Sequence, residues 1–135
     1  QQTSGACTIS QHAALAALTG PQDFIDQSRT AFQRRRDMVV DLLNRAPGLH
    51  CEVPQGAFYA FAACKDLLGR ITPAGTKLNS DEDVVNALLD EANVATVHGS
   101  AFGLGPYVRI AYALGDAPLR AACEAIHRFS QALAD

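Results

Sequence analysis

The residue whose setting speaks most directly of chemistry is Arg109. It lies inside Tyr107-Val108-Arg109-Ile110-Ala111-Tyr112-Ala113, a run of β-branched and aromatic residues that reads as a strand. Successive side chains of a strand point to opposite faces. Val108, Ile110 and Tyr112 therefore form one apolar face, and Tyr107, Arg109, Ala111 and Ala113 form the other. A charge in mid-strand costs free energy unless something pairs with it. Small alanines leave room beside the guanidinium, whose planar fork matches a carboxylate with two parallel hydrogen bonds. The pattern fits recognition of a carboxylate ligand. It fits equally well a surface arginine on a half-exposed strand.

Two glycine-bearing turns flank this chemistry. Gly99-Ser100-Ala101-Phe102-Gly103-Leu104-Gly105 lacks the Gly-Lys-Ser/Thr of a phosphate loop and leads into a strand rather than a helix, so it reads as a turn with close backbone approach. In Pro54-Gln55-Gly56-Ala57-Phe58-Tyr59, a glycine precedes an aromatic strand. Such a glycine marks either a ligand's approach or a plain β-turn.

Other chemistries find no support. His12, His50, His98 and His127 are scattered, without a nucleophile–base spacing; His98 abuts the 99–106 turn. Cys7, Cys51, Cys64 and Cys123 form no C-x-x-C pair and no zinc spacing, so they are expected to be buried free thiols in a reducing cytoplasm. Asp81-Glu82-Asp83 and Asp90-Glu91 read as helix-end charges. No metal site is expected. The net charge of −3 leaves no footprint for nucleic acid or an anionic membrane. No apolar run approaches the roughly 20 residues of a membrane span.

The 135 residues suit one domain with a real core. Residues 8–19 read as an Ala/Leu helix ended by Gly20-Pro21. Residues 22–45 read as a long amphipathic helix with Phe24, Ile25, Phe32, Val39, Leu42 and Leu43 on its apolar face. On its polar face, Arg34-Arg35-Arg36 stand within reach of Asp37 and Asp41. An extended piece at 49–53 and a strand at 57–61 follow. Residues 65–79 read as a loop with one helical turn. Ser80 and Asp83 resemble a capping box for a helix to about residue 92, with Val84, Val85, Leu88 and Leu89 on one face. Strands at 94–97 and 107–113, joined by a short loop, imply an antiparallel pair. Asp116 is expected to cap a last helix with Pro118 in its first turn and Leu119, Ala122, Ile126, Phe129 and Leu133 buried. The fold class is α+β: a small antiparallel-containing sheet, covered on one face by helices, with a long helix near the N-terminus.

The ordered motifs resemble the C-terminal third of fold-type-I, pyridoxal-phosphate-dependent class I/II aminotransferases of the aspartate aminotransferase group. They are Gln2-Thr3-Ser4 with Ile9-Ser10-Gln11, Arg34-Arg35-Arg36-Asp37, Pro54-x-Gly56-Ala57-Phe58-Tyr59, Leu88-Leu89-x-Glu91-Ala92-x-Val94-Ala95, Gly99-x-x-Phe102-Gly103, and Tyr107 to Ala113. The resemblance covers essentially the whole chain. It implies that Arg109 grips the α-carboxylate of an amino-acid substrate, that Gly56 and Phe58 line the substrate side, and that the 99–102 turn packs near the cleft. It also implies that Thr3 and Ser4 face a neighbouring subunit's site in a homodimer. Residues 1–20 would then be a segment connecting from a large cofactor domain and residues 21–135 the small domain. The family usually has Pro where this chain has His98. The lysine that holds pyridoxal 5'-phosphate lies upstream in the family, and Lys65 and Lys77, the two lysines here, stand in no such context. The chain, which has no initiator Met, is expected to be part of a longer cytoplasmic enzyme and inactive alone. Two other readings stay open: a different fold-type-I reaction such as C–S lysis or decarboxylation, and a non-enzymatic α+β module for small-acid binding or dimerisation.

Overall fold

A computed structural model describes residues 4–134. The contacts divide the chain into two units, one ending at Ala31 and one beginning at Phe32. The first contains helix α1 (Thr8–Thr19) and the opening turns of helix α2 (Asp23–Arg45). No residue of α1 is buried; Ile9 and Leu18 are 79% and 80% exposed. Phe24 and Ile25 are also exposed, so the buried stripe expected along all of α2 is confined to Val39, Val40 and Leu43, with Phe32, Met38 and Leu42 partly buried. A periodic apolar pattern says which helix face can be covered, not how far along the helix the cover reaches. Cys7, expected to be buried, is exposed, because it precedes α1 in a stretch where every described residue is exposed.

The second unit is a helix-on-sheet layer. Its strands are β1 (His50–Cys51), β2 (Tyr59–Ala63), β3 (Val97–His98) and β4 (Tyr107–Ala111), and its other helices are α3 (Asp81–Ala92) and α4 (Asp116–Ala132). The order across the sheet is β1-β2-β4-β3, with every neighbouring pair antiparallel. Ala60 and Ala62 of β2, and Val108 and Ile110 of β4, join Val39 and Leu43 of α2, Val84 and Leu88 of α3, and Leu119, Ile126 and Phe129 of α4 in one core. The helices thus cover one face of the sheet, as expected for this α+β class.

Local chemistry explains most boundaries. Ser80 Oγ accepts the Asp83 N–H at 3.1 Å while the Asp83 carboxylate accepts the Ser80 N–H at 3.0 Å, a complete capping box. The helix stops at Asn93, which takes the left-handed conformation that asparagine tolerates. Several expectations shift, and strand β4 ends at Ala111 rather than 113. Strand β2 starts at Tyr59 rather than 57, because Ala57 has φ +62° and cannot continue a strand. Strand β3 is Val97–His98 rather than 94–97: Val94 instead closes the end of α3 by donating to the Leu88 carbonyl at 3.0 Å. Leu89 turns away from the core and is 50% exposed. Finally, α4 is preceded by Gly115, and Asp116 is its first residue. The Asp116 carboxylate does not cap; it receives Arg35 Nε at 2.7 Å and Arg34 at 2.5 Å. Of the three consecutive arginines, Arg36 alone pairs along its own helix, with Asp37 at 2.7 Å.

Candidate carboxylate-binding site

The sheet face opposite the helices is built from Tyr59, Phe61, Tyr107 and Arg109. Arg109 stands near its middle: in register it lies across from Phe61 on β2 and from Val97 on β3. Its guanidinium carbon is 4.5 Å from the centroid of the Tyr59 ring and 4.2 Å from that of Phe102. Phe61 stacks on Tyr107, with centroids 5.2 Å apart and planes at 17°, and meets Phe102 edge-on. A guanidinium between two ring faces is held by cation–π attraction and loses much of its rotamer freedom. Among the described residues no carboxylate pairs with Arg109. Its hydrogen-bonding fork is therefore oriented but left available to an anion.

The turn before β2 continues this aromatic surface. Phe58 is 42% exposed, and its ring lies 4.6 Å from Tyr59 and 6.4 Å from Phe32. Through Tyr59, Phe58 is thus connected to Arg109. At Gly56, an added Cβ would meet nothing within 4 Å, so no neighbour in this chain requires a glycine there. His98 is the residue before the 3-10 turn Gly99–Phe102 and has φ −69°, the value a proline ring would impose. Ser4 is exposed and Thr3 lies outside the described residues.

Sequence reasoning missed Tyr59: strand alternation puts Tyr59 and Phe61 on one face of β2, but only the pairing of β2 with β4 brings that face beside Arg109. The two lysines stand elsewhere. Lys65 begins a 3-10 turn beyond the end of β2, and Lys77 forms a β-bridge with Ile71; both are exposed. The described residues therefore do not by themselves form a pyridoxal-phosphate cradle. Among them there is also no group of His, Cys, Asp or Glu suited to a metal ion, and no helix is long and apolar enough to cross a membrane.

Arg109 is thus held between two rings on the open face of the sheet. Residues 1–126 match the family described as aminotransferase class I and II, and the chain belongs to that family. It is 53% identical over 129 residues to a probable aspartate/prephenate aminotransferase of Rhizobium leguminosarum bv. phaseoli, covering 96% of this chain and 32% of that protein. It is 49% identical over 133 residues to the aspartate/prephenate aminotransferase of Cereibacter sphaeroides, covering 98% and 33%. The crystal structure of the aspartate aminotransferase from Rhizobium meliloti superposes with a TM-score of 0.94 at 48% identity, over 99% of this chain and 34% of that one. The chain thus spans about a third of the length of the curated relatives it matches.

Proposed function

We propose that this chain is the substrate-carboxylate end of a pyridoxal-phosphate-dependent aminotransferase. The intact protein would transfer an amino group between an aspartate-like amino acid and a 2-oxo acid. The observation that carries this reading is Arg109, fixed between Tyr59 and Phe102 with no anionic partner among the described residues. Arg109 binds the substrate α-carboxylate with two parallel hydrogen bonds and so sets the orientation of the bonds to Cα. Phe58 and Gly56 border the substrate on the β2 side, the ring excluding water and the glycine leaving space. Pyridoxal phosphate, when bound, supplies the electron sink and carries the amino group; its lysine would come from outside this chain. Residues 21–135 then correspond to the small domain and residues 1–20 to the connection from the large one. Thr3 and Ser4 approach the site of a homodimer partner, and the enzyme works in the cytoplasm. The names of the relatives, aspartate and aspartate/prephenate aminotransferases, support this substrate class.

The test is an absorbance spectrum of the full-length protein purified with pyridoxal phosphate, taken before and after aspartate is added without a 2-oxo acid. Conversion of the bound cofactor to its pyridoxamine form is the expected result. Absence of bound cofactor would remove the enzyme reading. In the same protein, Arg109→Lys should raise KM for the amino acid at least about tenfold, because an ammonium cannot reproduce a two-point grip.

A further inference from the structure

Asp81 is the first residue of α3, a place where carboxylates ordinarily stand in water, yet it is only 4% exposed. It points into the turn that precedes β4. Its Oδ2 accepts the Ser100 N–H at 2.9 Å, the Ser100 hydroxyl lies 2.6 Å from Oδ1 and 2.7 Å from Oδ2, and the Tyr107 N–H approaches Oδ2 at 3.4 Å. One carboxylate therefore ties both arms of the turn, at its second residue and at the first residue of β4. Two glycines make the closure possible. A Cβ on Gly105 would sit 2.6 Å from Ser100 Oγ and 3.3 Å from Asp81 Oδ2; one on Gly99 would sit 2.2 Å from the Leu104 carbonyl oxygen. Burial pushes the Asp81 carboxyl up, but the hydrogen bonds from Ser100 and Tyr107 outweigh it and hold it below the usual carboxylate range. Its charge is met by these donors and by the N-terminus of α3, with no cation paired to it among the described residues.

The two tied arms carry the two groups that meet at the site. Phe102 is two residues beyond Ser100, and Arg109 is two residues beyond Tyr107; guanidinium and ring lie 4.2 Å apart. We propose that Asp81 is a positioning residue for substrate-carboxylate binding, acting through Ser100 and Tyr107 to set the distance between Phe102 and Arg109. This rests on the reading of Arg109 given above. An uncharged side chain at position 81 would let the turn relax, uncover one face of the guanidinium and restore its rotamer freedom.

The test measures binding of succinate, a dicarboxylate without an amino group, to the full-length holoenzyme by calorimetry. It reads carboxylate recognition apart from turnover. The variants are Asp81→Asn, Ser100→Ala, Arg109→Lys and the double variant Asp81→Asn/Arg109→Lys, each measured well below its own Tm. Asp81→Asn and Ser100→Ala are expected to weaken succinate by about five- to tenfold. In the Arg109→Lys background, Asp81→Asn should add less than about twofold, because it acts through the group already changed. Ser100→Ala, which leaves the buried charge in place, carries the test should Asp81→Asn not fold. If Arg109→Lys weakens succinate while Asp81→Asn and Ser100→Ala do not, or if the two effects multiply, the positioning role of Asp81 is overturned and Arg109 stands. If Arg109→Lys leaves succinate affinity unchanged, the reading of Arg109 itself falls.

Discussion

The Tyr112 hydroxyl donates a hydrogen bond of 3.0 Å to the carbonyl of Ala57, 55 residues earlier in the chain. Ala57 has φ +62°, a left-handed conformation that costs an alanine roughly 1–2 kcal/mol. The bond therefore holds a strained residue in place at the entrance to β2. Strand pairing continues the hold, since the Tyr112 N–H also donates to the Phe58 carbonyl at 2.9 Å. Burial pushes the Tyr112 phenol above its ordinary range, so the hydroxyl stays protonated and able to donate across physiological pH. Together these contacts aim Phe58 at Tyr59, and Tyr59 at Arg109.

Removing that donor has a definite consequence. Tyr112→Phe leaves the Ala57 carbonyl without its partner and should cost about 1 kcal/mol, seen as a fall in Tm. Ala57→Gly works in the opposite sense: relief of the left-handed strain exceeds the entropy glycine adds to the unfolded chain, with a net gain of up to about 1 kcal/mol. A destabilised Ala57→Gly protein would show that the turn is not strained.

Much of this arrangement was legible in the sequence. The mid-strand position of Arg109 follows from alternation alone, and the capping box at Ser80 from residue types three apart. What was hidden depends on partners distant in sequence. Asp81, Glu82 and Asp83 look like one set of helix-end charges, but Asp81 is buried and its neighbour Glu82 exposed, because the turn 19 residues later folds back onto one of them. Asp116 has the sequence setting of a helix cap, and only the approach of α2 turns it into the partner of Arg34 and Arg35. Local rules state what a side chain can do near its own backbone; long-range packing chooses among those options.

The ring beneath Arg109 can be tested without disturbing the core. Phe102 is 51% exposed, so Phe102→Leu should leave Tm nearly unchanged. It removes one of two cation–π contacts, each worth about 0.5–1 kcal/mol at an exposed site. On the function proposed above, the expected result for the full-length protein is KM for the amino acid raised about two- to fivefold with a smaller change in kcat. A fall in kcat alone would mean that the ring serves chemistry rather than carboxylate binding.

The Asp116 pair gives a pH and salt signature. The hydrogen bond from Arg35, helped by the charges of Arg34 and Arg35, holds the Asp116 carboxyl below its ordinary 3.8. A depressed carboxyl stabilises the fold above the unfolded value, and the contribution disappears as pH falls through the folded one. Asp116→Asn should therefore lower Tm at pH 7, and the difference from wild type should vanish as pH drops below about 4. Both partners are partly exposed, so the pH 7 difference should also shrink by about half or more in 1 M salt. A difference insensitive to both would place the interaction elsewhere than in this ion pair.

The cysteines separate by burial. Cys51, Cys64 and Cys123 are buried and Cys7 is exposed. Burial pushes the Cys64 thiol up to about 12 and the Cys123 thiol up to about 11, and also raises Cys51. The thiolate is the nucleophile in alkylation, so at pH 8 these three are both shielded and protonated. Iodoacetamide added to the native chain should modify Cys7 alone, and the other three should react only in denaturant, as read by intact mass. Because Cys64 follows β2 and Cys123 lies in α4, labelling of either without denaturant would mean that the helix layer opens from the sheet. That opening would also loosen strands β2 and β4, which carry Tyr59 and Arg109.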